Sequence, residues 1–415
     1  MKQLLKSAYV WNQTTKKFTP NQQDILIEDG IITAIDNDIV DADAQRIEFP
    51  NLHISPAWFD PFVSFGEPGY EERETLKNGS LTALKSGFSG IGLCPNTNPI
   101  LSHKSDIEYI KRYGTDLKIR PIGALTKNFR GEELTDLHDM TQAGAVAFYD
   151  FKNSISQANV LKVALQYVKA FNGLLINFPE DKNLTGKAQV HEDEVTIHLG
   201  MKSTSAINET IQIERDLKLL EYTGSKLHIP YISTAESVDI IRQAKQKNLN
   251  LSCSTSINNL FFDTQQLTTF DQKYKVHPPL RNAKDREALI EAVSDETIDF
   301  VTSDHQPINI ELKDLEFENA AYGSIGLESF YPALNTLFGT DKAIAILTKN
   351  WQLFNDQVAE IKVGQKAELS LFDPDNNNKF EIKNIHSKSH NAIFLNEDLK
   401  GKVYGSLIKD KWHEN

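Results

Sequence analysis

The sequence predicts an α/β fold in which a (β/α)₈ TIM barrel is accompanied by a small β-sandwich formed by both ends of the chain. Two observations lead to this prediction. In the middle of the chain, eight short apolar runs end in polar residues, and amphipathic stretches lie between several of them. At both ends, apolar and polar residues alternate, as in strands with one buried face. We therefore assign residues 53–359 to the barrel, and residues 1–52 together with 360–415 to the sandwich.

The eight candidate strands occur in series, as the strands of a TIM barrel do. They cover residues 57–63, 89–94, 118–124, 145–149, 173–178, 226–232, 250–254 and 298–302. Helical patterns, with apolar residues at i, i+3 and i+4, cover residues 209–222, 237–247 and 284–292. In this fold the chemistry takes place where the strands end. The positions expected at the barrel mouth are therefore Asp60, Asn96, Asp150, residues 178–181, Tyr231, Ser254 and Asp304.

The two chain ends are predicted to share one core, because neither has enough strands to bury a core alone. Near the N-terminus, Asp29 and Gly30 form a hairpin signal between two alternating runs. Residues 367–374 and 401–408 show the same alternation near the C-terminus. The run of three asparagines at 376–378 is a low-complexity patch, which we expect at the tip of a loop.

The composition of the 415-residue chain is that of an ordinary globular protein, with 40% hydrophobic and 24% charged residues. Its formal net charge of -13 argues against nucleic acids and anionic membranes as partners, because both would be repelled. Cys94 and Cys253 lack the CxxC spacing of thiolate metal sites. No apolar run reaches the length of a signal-peptide core or a transmembrane helix, so we expect a cytoplasmic protein.

Several motifs at the predicted strand ends resemble those of dihydroorotases, which belong to the amidohydrolase superfamily. Residues 94–99 read Cys-Pro-Asn-Thr-Asn-Pro, residues 144–150 read Gly-Ala-Val-Ala-Phe-Tyr-Asp, and residues 275–281 read Lys-Val-His-Pro-Pro-Leu-Arg. Asp304 with His305, and then residues 323–328, follow in the order that the family has. The resemblance runs over nearly the whole chain and implies a TIM barrel of the amidohydrolase type.

The resemblance also implies where the family's site residues fall in this chain. Asp304 stands at the position of the general acid/base, and Asn96 at that of an asparagine that contacts the substrate carboxylate. Gly66 stands where the family has the arginine that pairs with this carboxylate, and Arg281 is a further candidate for binding an anion. The positions that match the family's ligands for two zinc ions are Phe62, Ser64, Asp150, Phe178, Tyr231 and Asp304.

The residues at these ligand positions predict a protein without a metal and without the family's activity. Only the two aspartates keep a side chain that suits zinc, and all four family histidines are replaced. Without a metal, Asp304 would have to deprotonate ordinary water, whose pKa is about 15.7 instead of the roughly 7 of zinc-bound water. We therefore expect Asp304 to be a vestigial catalytic residue that makes hydrogen bonds, and Asn96 to be a weak substrate contact. The aromatic side chains at 62, 178 and 231 should fill the volume of the metals and imidazoles.

Two functions are compatible with the sequence. The leading hypothesis is a dihydroorotase-family protein of pyrimidine biosynthesis that has lost catalysis and acts as a structural or regulatory partner. The resemblance suggests aspartate carbamoyltransferase as the partner, and we expect a homo-oligomer, at least a dimer. The alternative is an active dihydroorotase, or a related cyclic amidohydrolase, that uses an altered site. Zinc would then be the cofactor, and residues such as His228, His277 and Glu180 would supply the missing ligands.

Overall fold

The N-terminal part of the chain consists of β-strands. The computed structural model describes residues 2–415. The first strands are β1 (Lys2–Asn12), β2 (Lys17–Phe18), β3 (Gln23–Glu28), β4 (Ile31–Asp36), β5 (Gln45–Ile47) and β6 (His53–Pro56). Asp29 and Gly30 join β3 to β4 with φ angles of 49° and 78°. Positive φ angles at both residues match the twist of an antiparallel hairpin, as the sequence predicted.

The middle of the chain forms a parallel eight-stranded sheet. Its first five strands are β7 (Trp58–Val63), β8 (Phe88–Leu93), β9 (Lys118–Gly123), β10 (Ala147–Phe148) and β11 (Leu175–Ile176). A separate two-stranded sheet follows, made of β12 (Val190–His191) and β13 (Ser203–Thr204). The last three barrel strands are β14 (Leu227–Ile229), β15 (Leu251–Ser256) and β16 (Phe300–Thr302).

The barrel closes where β16 meets β7. The Thr302 hydroxyl donates to Asp60 Oδ1 over 2.6 Å, and Ser64 N donates to His305 O over 2.8 Å. Burial raises the pKa of Asp60 to about 6, and the hydrogen bonds from Ser303 and Thr302 act against this shift. Every barrel strand overlaps one of the eight predicted runs, so the prediction of a TIM barrel is confirmed.

Helices lie between the barrel strands and after them. The α-helices are α1 (Leu76–Lys85), α2 (Lys104–Arg112), α3 (Leu137–Ala143), α4 (Ala158–Lys169), α5 (Lys182–Thr185), α6 (Glu194–His198), α7 (Ile207–Thr223), α8 (Ala235–Gln246), α9 (Ile257–Phe261), α10 (Ala283–Ser294), α11 (Ile310–Lys313), α12 (Leu327–Phe338) and α13 (Thr340–Lys349). Short 3₁₀ helices cover Lys127–Phe129, Thr264–Thr269, Gln272–Tyr274, Asn350–Phe354 and Ile382–Asn384. The three predicted helices correspond to α7, α8 and α10. Within residues 2–415, none of the helices has the length and apolar character needed to cross a bilayer.

The C-terminal part of the chain completes the sheet that the N-terminal part begins. It adds β17 (Glu368–Lys379), β18 (Asp398–Ile408) and β19 (Lys411–Glu414), and β17 pairs antiparallel with β6. Along β1, Leu5 pairs with β3 and β5, whereas Tyr9 pairs with β6. The change follows an irregularity at Ser7, whose φ is 54°. This bulged strand joins the two halves of the sandwich around one core, which includes Ile25 and Leu371.

Two local features differ from the sequence predictions. The three asparagines lie in β17 and not at a loop tip, because Asn377 pairs with Lys400 of β18. This end of the β17–β18 pair is largely exposed and follows a register shift after Asp373. Its sequence therefore shows no alternation of apolar and polar residues. The insertion that contains β12 and β13 was not predicted. Its strands have 2 residues each, too few for a periodic pattern.

Candidate functional site

Aromatic rings fill the barrel interior at the carboxyl ends of the strands. Phe62, Phe178 and Tyr231 follow or end strands β7, β11 and β14 and are all buried. The ring centroids of Phe62 and Tyr231 are 5.6 Å apart, and those of Phe178 and Tyr231 are 6.3 Å apart. The ring centroid of Tyr149, which follows β10, lies 6.1 Å from that of Phe62. These are distances of packed aromatic side chains, so three of the six ligand positions form an apolar cluster.

A lysine that the sequence analysis missed lies beside these rings. Lys152 Nζ is 2.7 Å from Asp304 Oδ1 and 2.9 Å from Oδ2. The two side chains are only 7% and 3% exposed. The ammonium also lies 4.9 Å from the centroid of the Tyr231 ring, which is within the range of cation–π attraction. The sequence held one signal, because Lys152 follows two residues after Asp150, one of the six predicted ligand positions.

The ion pair opposes the effect of burial on the pKa of Asp304. Burial raises the pKa of Asp304, and the positive charge and hydrogen bond of Lys152 act in the opposite direction. An ammonium group has three donors but no acceptor, and it offers no coordination site for water. Lys152 therefore balances the charge of the carboxylate without supplying the Lewis acidity of a metal.

The polar side chains at the other ligand positions are engaged in local hydrogen bonds. Asp150 accepts hydrogen bonds from the Leu125 and Thr126 backbone amides over 2.9 and 2.8 Å, and also from the Thr126 hydroxyl. Burial raises the pKa of Asp150 to about 6, against the hydrogen bonds of Thr126. Ser64 Oγ donates to Asn96 Oδ1 over 3.0 Å. Asn96, the predicted substrate contact, is half-buried, and its amide oxygen accepts this bond.

The structure places Arg281 and residue 66 where neither can clamp a carboxylate at the mouth. Arg281 is buried and donates to Ser233 Oγ over 2.9 Å and to Glu209 Oε2 over 3.2 Å. Gly66 packs against the backbone of the next turn, where a Cβ atom would come within 1.8 Å of Tyr70 O. The turn therefore has no room for the family's arginine at this position.

The histidines near the mouth are likewise held by their neighbours. Both ring nitrogens of His228 lie within hydrogen-bond distance of serine hydroxyls, at 2.8 Å from Ser252 and 3.0 Å from Ser254. His305 Nδ1 accepts from Gly326 N over 3.1 Å. Burial lowers the pKa of His228 to about 3 and that of His305 to about 4. Both imidazoles are therefore neutral in the physiological range and act as parts of the scaffold.

The residues at the mouth do not fit the two zinc ions that the resemblance implies. A zinc site brings nitrogen, sulfur or carboxylate oxygen ligands to about 2.0–2.3 Å from the ion, and a phenylalanine ring supplies none. Asp304 is paired with Lys152, and His277 Nε2 lies 3.5 Å from Glu180 Oε2. Over the described range 2–415, no three His, Cys, Asp or Glu side chains are grouped so as to hold a metal ion.

The amino-acid sequence is similar to known proteins over almost its full length. Residues 54–237 match the protein family described as Dihydro-orotase-like. The dihydroorotase of Ruminiclostridium cellulolyticum is 33% identical over 418 residues, which cover 98% of this chain and 97% of that protein. The dihydroorotase of a Thermoanaerobacter species is 34% identical over 396 residues, covering 93% of this chain and 92% of that protein.

Solved structures support the same architecture. The L-hydantoinase (dihydropyrimidinase) from Arthrobacter aurescens superimposes with a TM-score of 0.85 at 21% identity, covering 99% of this chain and 96% of that one. The dihydropyrimidinase from Brevibacillus agri gives a TM-score of 0.81 at 21% identity, with 99% and 95% covered. At this level of identity the likeness concerns the fold, a TIM barrel of the amidohydrolase type with an attached β-sandwich.

Proposed function

This chain belongs to the dihydroorotase family, and we propose that it is a noncatalytic protein of pyrimidine biosynthesis that acts through contact with a partner. The observation that carries the proposal is the buried pair of Lys152 and Asp304. A general base must receive a proton from the attacking water. Here both carboxylate oxygens of Asp304 face an ammonium, at 2.7 and 2.9 Å.

The energetic difference between this mouth and a metal centre supports the proposal. A metal lowers the pKa of its water from about 15.7 to roughly 7, which is worth on the order of 12 kcal/mol in hydroxide availability. Phe62, Phe178 and Tyr231 supply no compensating charge, and their rings exclude water from the interior. We therefore expect hydrolysis of a cyclic amide at this mouth to be no faster than in water.

The proposal predicts that protein purified after zinc-supplemented expression holds no stoichiometric zinc and does not hydrolyse dihydroorotate above background. Elemental analysis and an absorbance assay measure the two quantities, with the Ruminiclostridium cellulolyticum dihydroorotase prepared in parallel as the positive control. Asp304→Ala should leave the background rate unchanged. One or two tightly held zinc ions, with a rate that Asp304→Ala abolishes, would establish the alternative of an active cyclic amidohydrolase with an altered site.

We propose aspartate carbamoyltransferase as the partner, since noncatalytic dihydroorotase-like chains occur in assemblies with that enzyme. Helices α4 and α7 pack against each other and carry exposed apolar side chains, which suit a protein contact. The most exposed is Tyr222, at 73%, and Ile207 and Ile211 follow one face of α7. Homodimer formation is the minimum that the proposal requires.

Association is tested with the native complex and with purified components. We expect co-purification with aspartate carbamoyltransferase at the endogenous level, and binding of the two purified proteins in sedimentation experiments. Ile211→Lys combined with Tyr222→Lys should weaken the contact, whereas Val363→Lys, at an exposed position outside both helices, should not. A strictly monomeric protein that binds no partner reproducibly would contradict a function by contact.

A further inference from the structure

We propose a ligand site for a small organic anion at the end of the barrel opposite the mouth. A cavity of about 410 Å³ lies between the end of β1, the turn after it, α10, α13 and the start of β16. Its volume is within the range of small-molecule sites, and it lies where the barrel meets the sandwich, a common position for such sites. The inference is independent of whether the mouth is catalytic.

One side of the cavity is apolar. Trp11 and Ile298 line it and are themselves buried, as is Val301 in the middle of the adjoining strand β16. The Trp11 ring is fixed by an edge-on contact with Phe18, with centroids 5.1 Å apart. A wall of this kind favours the ring or hydrocarbon part of a ligand over a bare inorganic ion.

Three lysines, Lys16, Lys342 and Lys349, line the same cavity. Lys349 Nζ lies 3.6 Å from a carboxylate oxygen of Glu296. Lys342 Nζ donates to Ser294 O over 3.2 Å, and within residues 2–415 neither Lys342 nor Lys16 forms an ion pair. An ammonium has three donors, so Lys342 has donors left for a ligand.

The charge around Lys342 favours an anion. Burial lowers the pKa of Lys342, Glu296 raises it, Lys349 and Lys16 lower it, and Asp295 raises it. The carboxylate of Asp299 also lines the cavity, but it accepts from Lys245 Nζ over 2.6 Å. Glu296 has the largest charge effect on Lys342, but its carboxylate is shared with Lys349, and a ligand carboxylate or phosphate group would supply an acceptor to the free donors of Lys342.

The ligand class that fits is therefore one carboxylate or phosphate attached to a flat or apolar body. Such a molecule would place its anionic group among the three lysines and its body against Trp11. In a chain with a net charge of -13, a cavity with this local excess of lysines also selects for anions and against cations.

Three small probes separate the two parts of this recognition. Phenyl phosphate carries both a ring and a dianion, inorganic phosphate carries the charge alone, and phenol carries the ring alone. In titration calorimetry on the full-length protein, phenyl phosphate should bind saturably at one site per chain. Each partial probe should bind at least about tenfold more weakly, a difference of about 1.4 kcal/mol.

Substitutions then locate the site. Lys342→Met keeps the aliphatic part of the side chain and removes the ammonium. It should lower the affinity for phenyl phosphate by about tenfold or more. Lys218→Met removes an exposed lysine of α7 outside the cavity and should leave binding unchanged. If Lys342→Met does not fold, Lys16→Met at the exposed turn should show the same loss, because it removes a second cation of the cavity.

Four outcomes would overturn the proposal. They are a lack of saturable phenyl phosphate binding, equal binding by inorganic phosphate, equal binding by phenol, and an affinity that neither lysine substitution lowers. Equal binding by inorganic phosphate would mean adventitious attraction of a simple ion. Binding by phenol alone would mean that the cavity recognises only an apolar surface.

Discussion

Lys152 places one buried ammonium beside Asp304, which the sequence resemblance matched to a zinc-ligand position. The nearest oxygen is 2.7 Å away, and both side chains are almost fully buried. Removing one partner from a buried ion pair leaves an uncompensated charge, whereas replacing both partners with neutral groups is often tolerated. Each of the two buried charges therefore depends on the other, because either one alone would be left uncompensated in the interior.

Lys152→Met is expected to lower the free energy of unfolding by about 3–5 kcal/mol, because Asp304 then remains buried without its cation. Lys152→Met combined with Asp304→Asn should recover most of this loss, since asparagine tolerates the left-handed φ of 53° at residue 304. Urea unfolding gives the free energy of unfolding of the unchanged protein, of Lys152→Met and of the double variant. Lys218→Met is the control for the loss of one surface lysine. Equal losses in Lys152→Met and the control would show that the pair does not hold the mouth together.

Gly66→Ala should destabilise the protein by about 1–3 kcal/mol, because the added methyl group is forced against backbone. The Cβ atom would come within 1.8 Å of Tyr70 O and 3.0 Å of Glu74 O. Gly114 gives a matched control, since a Cβ there meets nothing within 4 Å. Gly114→Ala should change stability by no more than about 0.5 kcal/mol. Equal unfolding midpoints for the two variants would mean that the turn at residue 66 can relax to admit a side chain.

The segment between β16 and α12 depends on two buried lysines. Lys275 Nζ donates to Phe317 O over 2.7 Å and to Glu318 O over 2.8 Å. Lys313 Nζ donates to Lys275 O over 2.9 Å and to Ala321 O over 3.1 Å. Burial lowers the pKa of Lys275 to about 8, although Glu318 raises it. Burial, and then the charge of Lys275, lower the pKa of Lys313 to about 7.

These shifts predict that the two lysines make the protein more stable as the pH rises from about 7 to about 9, above which the buried Cys94 and Cys253, whose pKa values burial raises, act in the opposite direction. In the folded state the two lysines release their protons near pH 7 and 8, whereas in the unfolded chain they hold them to about 10.5. The unfolded state therefore binds more protons in this window, and the free energy of unfolding increases with pH. Lys313→Met should flatten the increase, and Lys218→Met should keep it, in urea unfolding at several pH values. If the free energy of unfolding of Lys313→Met rises with pH as steeply as that of the unchanged protein, Lys313 does not cause the increase.

At the element scale, apolar patterning was enough to locate the barrel strands and the longer helices. The run at 145–149 and the run at 173–178 each contain a strand of 2 residues, because burial extends beyond the paired residues. The pattern could not show the partner of Asp304, since Lys152 comes from another strand end and its side chain meets the carboxylate only in three dimensions. The same limit applies to Arg281. The motif that contains it could be recognised in the sequence, but its hydrogen bond to Glu209 could not be predicted.

On the scale of the whole molecule, the two ends of the chain stabilise each other. Leu369 of β17 pairs with Pro56 of β6, and their core includes Leu5, Ile54 and Leu407. The domain boundaries predicted from the sequence lie near residues 52 and 360, and β6 (His53–Pro56) of this sheet begins just after the first of them. A truncation at either boundary therefore tests them.

Truncation after residue 359 should destabilise the N-terminal strands, because it removes β17 to β19 and opens one edge of β6. Hydrogen exchange on the truncated and full-length chains measures the result, with amides of β9 in the barrel as the internal reference. We expect the amides of β1, β3 and β6 to lose most of their protection relative to that reference. Unchanged protection of these strands would mean that the two ends are independent.

The pairing of β6 with β17 also sets the order in which the protein can be completed during synthesis. Ile54 pairs with Leu371, and at about 5–20 residues per second the ribosome needs about 15–60 s to make the residues between them. The barrel has all of its strands once β16 has emerged, whereas the sheet that the chain began first is finished last. Throughout that interval β6 presents an open edge, the kind of surface on which nascent chains aggregate or are captured by chaperones. A chain stalled after β16 would carry every barrel strand beside an unfinished sheet.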